Sequence, residues 1–330
     1  MANFKRQYEL TISRPPSINT EPQIITPDAG TSRVVNKDGD YRTVDKLESI
    51  VITDLDIQAS VSTSKKMGSN TPFNLTMQGF NSNTEGFVEK NSVVILKAGY
   101  ENTQMSILFV GQVNDKTVDF STEIPFMKLS CSDGYTPSSA VKITKEFPAD
   151  PSTTYETVLQ YLADIYADNG VPLGRGLTDL QDKLGVGVGN SIDKIRLTKG
   201  YAISGMFLDK ALSKVCKEVG YTYYFNKSKL FIEPENYQNT LVDEFKILPN
   251  QIISIAKIIP TNSMNSKDTQ EKTSGYRLKL LLDGRIDVGD FISTEINESV
   301  RGVFKVVDVK HDLHFEGDSW FTTIEVQDVE

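Results

Sequence analysis

Glycine clusters, histidines and paired carboxylates are the residues in this chain with the types and spacing for chemistry. The run Gly185-Val186-Gly187-Val188-Gly189-Asn190 has close glycines of the kind that let backbone N–H groups surround a phosphate. Its context does not fit: Asn190 stands where a dinucleotide fingerprint has its third glycine, no Gly-Lys-Ser/Thr follows, and no strand leads in, so a plain flexible loop is expected. His311 and His314 are the only histidines, and with Asp312 they suggest a metal site or a general base. An i, i+3 pair on an extended chain points to opposite faces, and no cysteine lies nearby to complete a set. Solvated histidines at a turn are the expectation. Asp283-Gly284-Arg285-Ile286-Asp287-Val288-Gly289-Asp290 resembles a calcium loop in composition alone, lacking the alternating acidic ligands and the closing Glu. Two tight strand turns account for it.

The 44 acidic residues supply many pairs suited to glycoside hydrolysis, yet no position singles one out. Nucleophile-elbow, HExxH and EF-hand patterns are absent from the sequence. No catalytic, cofactor-binding or metal residue is therefore assigned, and the chain is expected not to be an enzyme. The small basic spots Lys5-Arg6 and Lys65-Lys66 read as strand-edge charges that block unwanted pairing. The single Trp320, in an alternating strand, reads as core, which counts against a carbohydrate-binding platform.

The bulk numbers narrow the classes further. With 330 residues, 38% apolar and 24% charged, the chain has material for two or three globular domains. A net charge of -9 disfavours a nucleic-acid grip, because such surfaces neutralise phosphates with Lys and Arg. It is compatible with a surface past which DNA slides. Cys131 and Cys216 form neither a disulfide framework nor a metal spacing, so buried free thiols are expected. The sequence carries no signal-peptide stretch or apolar run of membrane-spanning length, and assembly in a cytoplasm without a membrane anchor is expected.

Residues 1–146 read as a first β domain. Tyr8, Leu10 and Ile12 alternate with polar residues, as do Leu55, Ile57, Ala59 and Val61 and then Phe73, Leu75 and Met77. Strands at 92–100, 105–115 and 126–131 follow, too many for a flat open sheet, so a barrel or sandwich is expected. The Pro-, Gly- and Asn-rich stretch at about 14–45 is long for a connection and leaves a binding arm and a structureless loop equally open.

Residues 147–236 change character to α+β. A capping box from Thr153 to Glu156 starts a helix with Tyr155, Val158, Leu159, Leu162, Ala163 and Tyr166 on one stripe. A second helix places Phe207, Leu208, Ala211, Leu212, Val215 and Val219 on one side and ends at Gly220. A hairpin turned at Asn226-Lys227-Ser228 completes this unit. Residues 237–330 return to strands. Asn91 to Ile95 lies over Gly289 to Ser293, Phe109 over Phe304 and Phe126 over Phe321 at a nearly constant offset, which suggests a repeated barrel.

The order of parts resembles a known family. Asp54–Phe80, Val88–Tyr100 and Ile107–Asp115 are similar to the opening barrel of baseplate hub proteins of tailed bacteriophages and contractile injection systems. Phe207–Pro234 resembles that family's inserted helix-then-hairpin unit. Leu280–Val326 resembles its second barrel, with a Gly289-Asp290 turn, a Gly302-x-Phe304-x-Val306 strand, a His311-Asp312 turn and a Trp320-Phe321-Thr322 strand. LTMQGF departs from the phrase that many relatives carry after the hairpin, and Asp283-Gly284 replaces the Pro often found before the Gly-Asp turn; these bear on the subfamily.

The resemblance implies a mainly β fold with an α+β insertion, two related tube-like β-barrel domains flanking a small helix-hairpin domain. It also implies a homotrimeric, pseudo-sixfold ring in a virion tail baseplate, joining a sixfold tail tube to a threefold central spike. Other baseplate proteins would contact it, and genomic DNA would cross its lumen without specific binding. The expected alternatives are a tail-associated peptidoglycan-degrading enzyme, with acid and base in the middle unit, and a carbohydrate-binding β module.

Overall fold

The computed structural model describes residues 5–14, 33–35, 41–43, 49–66, 68–101, 103–133, 141–150, 153–174, 197, 199–234, 245–258, 275–297 and 300–328. The long connection after the first strand falls outside this set except for a small pair, β2 (Arg33–Val35) and β3 (Tyr41–Thr43). The glycine run 185–190 also lies outside the described residues.

The first β unit comprises β1 (Arg6–Ser13), β4 (Ser49–Ile52), β5 (Asp56–Ser64), β6 (Pro72–Gln78), β7 (Val93–Tyr100), β8 (Ser106–Asp119) and β9 (Phe126–Ser132). A short helix, α1 (Ser82–Phe87), sits between β6 and β7 and is capped by the Asn81 side chain, which accepts from the Thr84 N–H. Alternation does what it should: Ile57, Ala59 and Val61 of β5 point inward with Phe73, Leu75 and Met77 of β6.

The remaining strands are β14 (Phe245–Ile247), β15 (Ile252–Ile258), β16 (Gly275–Leu281), β17 (Phe291–Asn297), β18 (Val300–His314) and β19 (Trp320–Asp328). Both β units belong to one 13-stranded sheet that runs β15-β16-β19-β18-β5-β6-β9-β8-β7-β1-β4, with β17 on β18 and β14 on β17.

Each half of this sheet rolls up. In strand order β1 is six strands from β18, yet Arg6 of β1 donates to the carbonyls of His314, Phe315 and Gly317 in the β18–β19 turn. Tyr8 packs edge-on against Phe315 at 4.9 Å. The first unit therefore closes on itself through side chains, and its core takes Leu282, Leu313 and Trp320 from the C-terminal part of the chain. In the second unit the path β15-β16-β19-β18-β17-β14 ends on strands that are consecutive in sequence, joined by Leu248 and a 3-10 turn at Pro249–Gln251. Its core gathers Leu278, Leu280, Ile292, Phe304, Val306 and Ile324.

The middle unit has its own core. It pairs β10 (Lys142–Phe147) with β11 (Tyr201–Phe207), and β12 (Tyr221–Asn226) with β13 (Lys229–Pro234), beside α2 (Tyr155–Asp168) and α3 (Leu208–Val219). Most of each expected stripe is buried: Val158, Leu159, Leu162, Ala163 and Tyr166 on α2, with Tyr155 partly buried, and Leu208, Ala211, Leu212 and Val215 on α3, with Val219 partly buried. Phe207 corrects the expectation, since it ends β11 ahead of the helix and is exposed, and Cys216 is a buried α3 position outside the expected stripe. The cap of α2 is one residue later than expected. Thr154 accepts from the Thr157 N–H, and the Thr157 hydroxyl takes the role expected of Glu156. Gly220 ends α3 at φ 70°, a conformation that costs a residue with a Cβ.

The two β units repeat a five-strand pattern. Strands β5-β6-β9-β8-β7 and β15-β16-β19-β18-β17 have the same spatial order and the same antiparallel sense. A bulge marks the same place in both, between Val113 and Asp115 opposite β9 and between Val306 and Asp308 opposite β19. Aligned on these bulges, Val94 matches Ile292 and Cys131 matches Val326. The expected match of Phe109 with Phe304 is corrected by this register: Gly111, opposite Val94, is the counterpart of Phe304, opposite Ile292. A ring at Gly111 has no room, since even a Cβ there would lie 2.6 Å from the Ser132 carbonyl oxygen.

Candidate assembly interface

Strand β18 joins the two β units. Its N-terminal part pairs with β17, from Val300↔Asn297 to Lys305↔Phe291, and its C-terminal part pairs with β5, from Asp308↔Ser64 to His314↔Gln58. One strand of fifteen residues thus serves both units. Leu313, near its end, is buried in the first unit's core, while Phe304, Val306 and Val309 belong to the second's.

The β12–β13 hairpin wedges into this junction. Gly68 N–H donates to the Tyr223 carbonyl and Phe225 N–H to that of Ser69, so β12 extends the loop between β5 and β6. At the hairpin tip, Lys227 pairs with Asp287 at 2.8 Å, Asn226 donates to the same carboxylate, and the Ser228 hydroxyl donates to the Val110 carbonyl. Asp133 accepts the N–H groups of Thr71 and Ser228 at 2.7 and 3.4 Å. Burial outweighs these donors and pushes its carboxyl up to about 7.

A buried charge cluster fills the space beneath. Lys65 and Glu233 approach to 2.5 Å, and Tyr224 donates its hydroxyl to Glu233. Burial first and the nearby Lys65 charge second push the Lys305 ammonium down to about 7. Lys65 is therefore not the expected strand-edge charge; it is a junction residue. Arg6 is likewise corrected, since its guanidinium closes the first unit and stacks over Trp320, while Lys5 remains at the surface paired with Glu101.

The histidines separate as expected onto opposite faces, but only His314 is a partly exposed residue at a strand end, 3.6 Å from Asp56. His311 corrects the solvated-turn expectation. It is buried in β18, its Nδ1 3.0 Å from the Thr322 hydroxyl, and desolvation together with the Lys227 charge pushes its imidazole down to about 4. Among the described residues no three His, Cys, Asp or Glu side chains converge as a metal set would. Asp283 and Asp287 hold Arg285 and Lys227, and the tight turns expected around them are present. Cys131 and Cys216 are both buried free thiols. An open groove of about 670 Å³ in the middle unit is lined by Glu146, Phe147, Glu156, Tyr161 and Asp164; the Asp164 carboxylate accepts from Gln160.

These features define a structural class: two copies of a five-strand β unit sharing a long strand, with a helix-and-hairpin unit wedged at their junction. That is the fold of phage tail proteins of known structure. The 43 kDa tail protein of prophage MuSo2 from Shewanella oneidensis superposes with a TM-score of 0.56 at 10% identity, over 84% of this chain and 93% of that one. A tail protein from Neisseria meningitidis MC58 superposes with a TM-score of 0.57 at 8% identity, over 98% of this chain and 97% of that one. A chain of the Francisella PdpA-VgrG complex matches 98% of this chain with a TM-score of 0.56 at 10% identity, this chain spanning 58% of its length. No protein-family model and no curated protein matches the sequence.

Proposed function

We propose that this protein is a structural hub of a phage tail baseplate, or of a related contractile injection machine, and not an enzyme. The observation that carries the reading is the repeat: one chain presents two like β units, so three chains present six, the arithmetic by which a threefold assembly meets a sixfold one. In this reading a homotrimer forms a pseudo-sixfold ring between the sixfold tail tube and the threefold central spike, with other baseplate proteins around it. It assembles in the host cytoplasm and resides in the virion tail. The net charge of -9 suits a lumen that genomic DNA crosses without being held.

Light scattering or mass photometry over rising concentration tests the ring, which is expected at three chain masses. A monomer at every concentration, alone and with the tube and spike proteins of the same tail, removes the proposal. The peptidoglycan-degrading alternative would place its acid and base in the groove lined by Glu146, Glu156 and Asp164. A zymogram that cleared cell-wall substrate, and lost clearing in Glu156→Gln, would favour it instead.

A further inference from the structure

The repeat leaves two strand edges whose counterparts are already joined. Strand β8 is the counterpart of β18, and β15 is the counterpart of β5. Within the chain, the C-terminal part of β18 lies antiparallel on β5. The matching part of β8, Asp115–Asp119, pairs with β9 on one side and with no strand among the described residues on the other. Strand β15 ends its sheet, paired with β16 alone among the described residues. Each chain thus carries both halves of a second junction without bringing them together.

We infer that β8 of one copy pairs antiparallel with β15 of the next, as β18 pairs with β5 inside the chain. The occupant of both edges is a second copy of this protein, and the contact is head-to-tail. This rests on the reading of the chain as a self-assembling hub and names the surface by which it assembles. Unpaired strand edges are templates for such pairing, and an internal junction of the same geometry shows what covers them.

The register follows from the repeat. His311 lies opposite Val61, and their counterparts are Val118 and Lys257; Asp312 lies opposite Ser60, matched by Asp119 and Ala256. Leu313 lies opposite Ala59, matched by Phe120 and Ile255. A side chain supplies independent support. Leu313 is 1% exposed, buried in the neighbouring unit's core, whereas its counterpart Phe120 is 65% exposed. Ile253, on the proposed partner strand β15, is 46% exposed. Pairing in this register covers Phe120 against β15, opposite Ile255.

Cysteine cross-linking tests the pairing, because directly opposed strand residues have Cα atoms about 4.5–5.5 Å apart, within disulfide range. Full-length Val118→Cys and Lys257→Cys chains, mixed and oxidised, are expected to give a disulfide-linked heterodimer. The double variant is expected to give a ladder of covalent oligomers, and Val118→Cys with Ile255→Cys much less. Phe120→Asp is expected to raise the concentration for half-assembly by roughly 30-fold or more, as loss of a central aromatic anchor does, while the melting of the dilute chain stays unchanged. Assembly by mass without the cross-link, and undisturbed by Phe120→Asp, overturns this interface and leaves the ring reading standing. A chain that neither assembles nor cross-links at high concentration overturns both.

Discussion

The indole N–H of Trp320 on β19 donates to the carbonyl of Gly99 on β7, 3.2 Å away across 221 residues of sequence. This bond ties the last strand of the second unit into the core of the first, beside Phe315 and beneath the Arg6 guanidinium. Trp320→Phe removes the donor and leaves space in a packed interior, at a cost of about 1–3 kcal/mol. A urea midpoint equal to that of the wild type would show that the seam does not need the indole.

The Lys65–Glu233 pair is a second long-range tie, between the loop after β5 and the hairpin of the middle unit. Both groups lie in the interior, where breaking a pair leaves an uncompensated charge. Glu233→Gln is expected to destabilise by about 3–5 kcal/mol, whereas Lys65→Met combined with Glu233→Leu recovers most of that loss. Denaturant melts of the three variants separate the cases; a mild single variant would mean that water reaches the cluster.

Local patterns made much of this fold legible. Ile57, Ala59 and Val61 announced β5, the α2 stripe and the α3 stripe apart from Phe207 fell where periodicity put them, and Trp320 is core. The junction was not legible, because what buries His311 is the β5 strand more than two hundred residues earlier, and no local spacing encodes that neighbour. Lys65 and Arg6 misled for the same reason: each looks like an edge charge until its distant carboxylate or carbonyl partners are in place. Phe109 attracted Phe304 by residue type, whereas the true register turns on the bulges at Asn114 and Val307, which leave no mark in composition.

Asp133 and His311 predict opposing pH slopes. The Asp133 carboxyl, raised to about 7, holds a proton that the unfolded chain has released, so its contribution to stability is full below about pH 4 and is lost as pH rises to about 7. The His311 imidazole, depressed to about 4, contributes above about pH 6.5 and loses that contribution as pH falls to about 4. At about 1.4 kcal/mol per pKa unit, the two largely offset in the wild type. Asp133→Asn is expected to leave stability rising with pH across this window, and His311→Gln to leave it falling. Urea midpoints measured between about pH 4 and 7 would refute the assignment if both variants sloped the same way.

The division of the chain at 146 and 236 is a proposal about chain order, and the packing predicts that it is not a division of stability. Leu282, Leu313 and Trp320 belong to the first unit's core although they lie beyond residue 236. Strand β5 would also lose the seven-pair ladder it makes with β18, from Asp308↔Ser64 to His314↔Gln58. A fragment of residues 1–236 is therefore expected to lack a cooperative melt and to be cut rapidly in limited proteolysis near β5, because an uncovered edge and an unfilled core occur at the same place. The middle unit has its own core and is expected to keep its helical circular dichroism in the same fragment. A sharp two-state transition for the whole fragment would mean that the first unit closes without β18 and β19, and that the seam through Arg6 and Trp320 is dispensable.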